Sequence, residues 1–113
     1  MKKQNKDSLP VLKRGVQLPA LVEAAGPEFS RAFLEFFAAT IRNRNTRLAY
    51  LNDVNSFLDW CGSKHISLST VQPLAVAAYI EELGFSHSKS SVKQHLSALR
   101  MLFDYFVRSQ LLQ

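Results

Sequence analysis

The sequence has a single cysteine among its 113 residues. That residue, Cys61, excludes an internal disulfide and any metal cluster built on several thiolates. It sits in an apolar helical pattern, where a buried, chemically idle thiol is the default. Long hydrophobic runs are missing as well, and none approaches the roughly 20 residues needed to cross a bilayer. The basic N-terminus lacks the apolar stretch of a signal peptide, so a cytoplasmic location is expected. Acidic residues are scarce. Nine Asp and Glu stand against fourteen Lys and Arg, giving a net charge of +5 and a pI near 9.7. That balance suits a nucleic acid, an acidic membrane surface or simple solubility. No period-two alternation is long enough for a sheet, and there is no internal repeat or low-complexity tract.

What is present points to one helical domain. Apolar residues make up 47% of the chain, which excludes a disordered protein. The length suffices for one real core and not for two. Residues 1 to 26 differ from the rest, being basic and interrupted by Pro10, Gly15 and Pro19. They are expected to form a flexible arm with one short turn around Leu21 to Ala25. The arm's Lys2, Lys3, Lys6, Lys13 and Arg14 either touch phosphates or are simply solvated.

The helical domain is expected over 27–113. Pro27 suits a first helical position, and Phe29, Phe33, Phe36, Phe37 and Ile41 then form an aromatic stripe. Such a stripe is a core, although part of it could cover a neighbouring domain. The next helix, capped by Asn43 or Asn45, presents Tyr50, Leu51, Val54, Phe57, Leu58 and Cys61 inward, with Gly62 placed for a left-handed end. Pro73 opens a third helix, with Val71 and Val76 spaced as a hydrophobic staple. Leu74, Ala77, Ile80 and Leu83 are expected inside, and Gly84 stops the helix. In the last helix Val92, Leu96, Leu99, Phe103 and Phe106 recur at one-face spacing, with Val107 beside them.

Two helix starts are chemically unusual. Ser88 is a good N-cap, and Lys89, Ser90, Ser91, Lys93, Gln94 and His95 follow without a carboxylate. Donor-rich side chains at a positive helix terminus would welcome a phosphate, though a solvated capped start reads the same way. Arg42, Arg44 and Arg47, with Asn43, Asn45 and Thr46 between them, stand at the other start. Against the helix dipole alone those arginines are unfavourable, and a bound anion would remove that penalty.

Taken together, the pieces resemble the core-binding domain of tyrosine recombinases, the phage-integrase and Xer-like family. The run NTRLAYLNDVNSFLDW supplies Asn45, Thr46, Tyr50, Asp53, Phe57 and Trp60 in the family's order. VQPLAVAAYIEEL supplies Val71, Pro73, Val76, Tyr79 and Leu83, with Gln72 in place of the usual Thr. Leu96, Ser97, Ala98, Leu99 and Arg100 reproduce the family's Leu-Ser-Ala-Leu-Arg run, followed by Phe103 and Tyr105. The resemblance covers roughly residues 28 to 112. It implies an all-α fold, a small orthogonal four-helix bundle of SAM-like type, forming half of a C-shaped clamp around double-stranded DNA. The contacts it implies are Asn43, Arg44, Asn45, Thr46 and Arg47 at one helix start. At the other they are Ser88, Lys89, Ser90, Ser91, Lys93 and Gln94, with Arg100 extending the stripe.

The family's nucleophilic tyrosine and its Arg, Lys and His set belong to a second domain. Tyr50, Tyr79 and Tyr105 lie in binding-domain patterns, so the chain is expected to be a non-catalytic fragment. Its implied partners are DNA, the parent protein's catalytic domain and other recombinase protomers; no membrane, metal or cofactor is expected. Two alternatives differ in class. His65, His87 and His95 with Cys61 and Asp53 could form a catalytic or metal set, but their spacing fits no HExxH or CxxC pattern. A helical protein-interaction module would instead use the Phe33, Phe36 and Phe37 face.

Overall fold

A computed structural model describes residues 18–112, and these contain helices and no strand. The arm's basic residues, Lys2 to Arg14, lie outside the described residues. Five α-helices follow in order, against the four expected. They are α1 (Ala20–Ala24), α2 (Pro27–Glu35), α3 (Arg44–Ser63), α4 (Pro73–Leu83) and α5 (Lys89–Arg108). The additional helix, α1, comes from the segment read as arm. Its Val22 is fully buried, and Leu18, Leu21 and Ala25 pack beside it, so apolar burial holds this segment to the domain.

Pro27 opens α2 as its first residue, after Gly26 at φ 109°, a backbone angle that strains any side chain. The helix then widens into a π-helical turn, Phe36–Thr40. Widening lets the adjacent Phe36 and Phe37 both enter the core, with ring centroids 4.9 Å apart. All five residues of the predicted aromatic stripe are buried, Phe33 and Phe37 completely. The stripe is therefore the centre of this domain and not a face for another one. Truncating a ring at such a site costs about 3–5 kcal/mol.

The long helices α3 and α5 form the most extensive helix–helix interface. Leu51, Val54, Phe57, Leu58 and Cys61 point inward from α3 as expected, while Tyr50 is only half-buried. On α5 the buried stripe is His95, Leu99, Leu102 and Phe106, rotated from the expected one. Val92, Leu96 and Phe103 are half-buried and Val107 is exposed. The rotation arises because His95, a polar residue, occupies a core position. In α4 the buried residue is Tyr79, whereas Leu74 is 78% exposed and Ala77 is also outside. Trp60 Nε1 donates to Glu82 Oε1 at 3.0 Å, tying α3 to α4, and the Tyr105 hydroxyl donates to Glu35 Oε1 at 3.2 Å, tying α5 to α2.

Gly84 stops α4 as expected, whereas Gly62 does not supply a left-handed helix end. The helix α3 runs past Gly62, and His65 takes the left-handed position at φ 60°. Ile66 N donates to Cys61 O and His65 N to Gly62 O, the paired bonds of a Schellman ending. Gln110 repeats the motif after α5 at φ 64°, with Leu111 N bonded to Phe106 O. In both cases the residue after the left-handed one is apolar and folds back on the core, which fixes where the turn falls. A β-carbon in this conformation costs roughly 1–2 kcal/mol, partly offset by glycine's greater entropy loss. His65→Gly should therefore raise stability by about 0.5–1 kcal/mol in urea unfolding. An unchanged or lower midpoint would contradict this reading of the turn.

Candidate nucleic-acid interface

The two helix starts named from the sequence are both capped and both exposed. Asn43, not Asn45, caps α3, its Oδ1 accepting from Thr46 N at 3.0 Å. Ser88 caps α5, its Oγ accepting from Ser91 N at 3.2 Å and touching Ser90 Oγ at 3.3 Å. Each cap satisfies one first-turn donor and leaves the remaining N–H groups of that turn directed outward. Arg42, Arg44, Asn45 and Thr46 are exposed at the first start, and Lys89, Ser90 and Lys93 at the second, where Ser91 is half-buried. Neither first turn contains an acidic residue. Arg100 is exposed three turns into α5, and seven residues of helical spacing place it above Lys93.

Two of the named residues have structural work of their own. Arg47 is half-buried, and its Nε and Nη2 both donate to Ile41 O, at 3.2 and 3.0 Å. That carbonyl closes the π-helical turn, where a cation offsets the partial negative charge of a helix end. The position of Arg47 beside the α3 start therefore needs no bound anion to explain it. Gln94 is exposed, yet its Nε2 donates to Asp53 Oδ2 at 2.7 Å.

Asp53 heads a buried polar chain that the sequence reading missed. The other carboxylate oxygen, Oδ1, lies 3.2 Å from His95 Nε2, and His95 Nδ1 lies 3.3 Å from the Tyr79 hydroxyl. Asp53, His95 and Tyr79 are all at least nine-tenths buried. A carboxylate can only accept, so His95 carries a proton on the Nε2 that faces Asp53, and its Nδ1 shares a hydrogen bond with the Tyr79 hydroxyl. Burial pushes the Tyr79 phenol up, so its hydroxyl stays protonated. His87, on the exposed side, sets its ring against His95 with centroids 5.8 Å apart and bonds Ser86 Oγ through Nδ1 at 2.9 Å. The signals were legible: Asp53 interrupts the apolar stripe of α3, and His95 falls in step with Leu99, Leu102 and Phe106.

The chain thus links α3, α4 and α5. An unpaired buried carboxylate costs several kcal/mol, so its two partners hold it where both bonds can be made. Among the described residues, no group of three His, Cys, Asp or Glu side chains could hold a metal ion. No helix among them is long and apolar enough to cross a membrane. Cys61 is 1% exposed, and burial pushes its thiol up to about 11, so at neutral pH it is neither nucleophile nor ligand. Reaction with an aromatic disulfide reagent at mildly alkaline pH should be slow in the native protein and fast in denaturant. Rapid native labelling would show that the α3 end is more open than this packing allows.

A family model, that of the phage integrase N-terminal SAM-like domain, matches residues 31–110. That span includes α3 to α5 entire and both exposed helix starts. Neither the curated proteins nor the solved structures contain a match to the chain.

Proposed function

The chain belongs to the phage integrase N-terminal SAM-like domain family, and from that premise we propose that it grips duplex DNA as one half of a C-shaped clamp. The matched domain is the SAM-like N-terminal part of integrases, not the part that carries the chemistry. The observation that carries the proposal is the pair of capped, acid-free helix starts exposing Arg42, Arg44, Lys89 and Lys93. Helix N–H groups and flexible cations together suit phosphate oxygens, which set the register of a protein on a duplex without reading sequence. Asn43, Asn45, Thr46, Ser88, Ser90 and Ser91 add neutral donors at the same two places, and Arg100 lengthens the cationic stripe. Arg47 contributes charge, with part of its fork already engaged by Ile41.

In this reading α2 to α5 are the four helices of the SAM-like bundle, and α1 is an addition to it. The protein works in the cytoplasm, joined to a catalytic domain and paired with other protomers on a recombination site. The alternative of a protein-interaction module loses its proposed surface, because Phe33, Phe36 and Phe37 are at most 1% exposed.

With few phosphate contacts, affinity should be about micromolar or weaker at physiological salt. Binding to labelled duplex should weaken as salt rises. Lys89→Ala with Lys93→Ala should weaken it further and flatten the log–log salt slope by about 1.8, roughly 0.9 for each lost phosphate contact. Both lysines are exposed, so the variant should keep its helicity. Strong binding that the variant leaves unchanged would move the site elsewhere. No binding at low salt would overturn the proposal.

A further inference from the structure

The Gln94 amide has two different ends, and the buried chain decides which end faces outward. We infer that Asp53 is a specificity-determining positioning residue: it holds the Gln94 amide nitrogen inward, so that Gln94 presents its Oε1 acceptor to a base carrying an amino group. The inference deepens the DNA-binding proposal and rests on it.

The Asp53 carboxylate has acceptors and no donor. Gln94 can approach Asp53 Oδ2 to 2.7 Å only by turning its NH₂ group inward. Reversing the amide would set Oε1 against the carboxylate oxygen, with no proton between them. Nor can Asp53 turn away, because its Oδ1 is held by His95 Nε2 at 3.2 Å, and His95 is held in turn by the Tyr79 hydroxyl. These three supporting side chains are buried, whereas Gln94 is exposed. A free glutamine on a helix surface samples both amide orientations; this one is restricted to a single orientation before any ligand arrives.

In the major groove, cytosine N4 and adenine N6 are donors, whereas guanine O6 and thymine O4 are acceptors. An outward Oε1 can pair with the first two and repels the others. At adenine, the Nε2 hydrogen not given to Asp53 is on hand for N7, a two-bond contact that guanine and thymine cannot make while Oε1 faces outward. Gln94 should therefore prefer amino over keto bases at one position, by roughly two- to tenfold, the worth of one hydrogen bond. Without Asp53 that preference has no physical source, since glutamine serves either kind of base by turning its amide over.

Asp53→Asn provides the sharpest test when imidazole 15N shifts show that His95 keeps its proton on Nε2 and so still needs an acceptor there. The substituted amide would give its oxygen to His95 and its NH₂ to Gln94, which would turn the Gln94 amide round. Duplexes with a randomised central segment would be selected on the 113-residue chain, on Asp53→Asn and on Gln94→Met, after helicity is checked. The wild type should enrich cytosine or adenine at one position, Asp53→Asn should shift that position to guanine or thymine, and Gln94→Met should show no preference there. An unshifted preference in Asp53→Asn with His95 still protonated on Nε2, or a retained one in Gln94→Met, would overturn the inference. A measurement without DNA covers the case in which Asp53→Asn fails to fold. Wild-type NMR should show scalar coupling across the hydrogen bond from Gln94 Nε2 to the Asp53 carboxyl carbon, and its absence would overturn the inference. Failure of the wild type to bind any duplex at low salt, with that coupling present, would instead overturn the DNA-binding proposal and the base contact with it.

Discussion

Burying Asp53 between α3 and α5 creates an obligation that shapes the surface above it. Its two oxygens must both be met, and the partners that meet them, Gln94 and His95, are adjacent residues near the start of α5. Successive helical residues diverge by about 100°, so one carboxylate bonding both must sit between their directions. This requirement fixes the rotation of α5 about its own axis. It also explains why a histidine takes a core position that an apolar residue would otherwise fill. The hydroxyl of Tyr79 completes the chain from α4, so three helices share one polar joint inside an otherwise apolar core. Non-directional burial of phenylalanine gives such a core its stability. A directional joint gives it a single alignment.

The same joint lies about two turns into α5 and about three turns into α3, within the helices whose starts are exposed. Capping by Asn43 and Ser88 sets where α3 and α5 begin, and Arg47 anchors the approach to α3 through the carbonyl of Ile41. In the DNA-binding reading, the phosphate contacts come from exposed side chains on a rigid frame, and the frame is held by buried polar bonds. A base contact from Gln94 would inherit that rigidity. Family membership supplies the context of an integrase, and the surface chemistry supports the proposal of DNA as its ligand.

Much of this was legible in the sequence, and the exceptions share a cause. Pro27 and Pro73 marked helix starts because a fixed φ and a missing N–H fit only there, and both helices begin at those residues. The aromatic stripe was legible because large rings at helical spacing have few uses besides a core. Periodicity failed where a polar residue replaced an apolar one. On α5, counting only apolar side chains skipped His95 and turned the expected face, and on α4 it favoured Leu74 over Tyr79. Composition likewise favours Gly62 for a left-handed helix end, whereas apolar residues after His65 and Gln110 set the turn positions. For the interface, residue type and position on a helix were readable. The engagement of Arg47 and Gln94 with Ile41 and Asp53 was not, because those bonds depend on how helices meet.

The central claim is that the starts of α3 and α5 act as one surface toward a duplex. NMR titration of the labelled chain with short duplex DNA at low salt tests this most directly, because it locates the contact without substitution. The account predicts that backbone amides of residues 43–47 and 88–94 respond together along one binding curve, with Arg100 following. Responses confined to another surface, such as that around Leu74 and Phe85, would contradict it, as would two separate curves for the two helix starts.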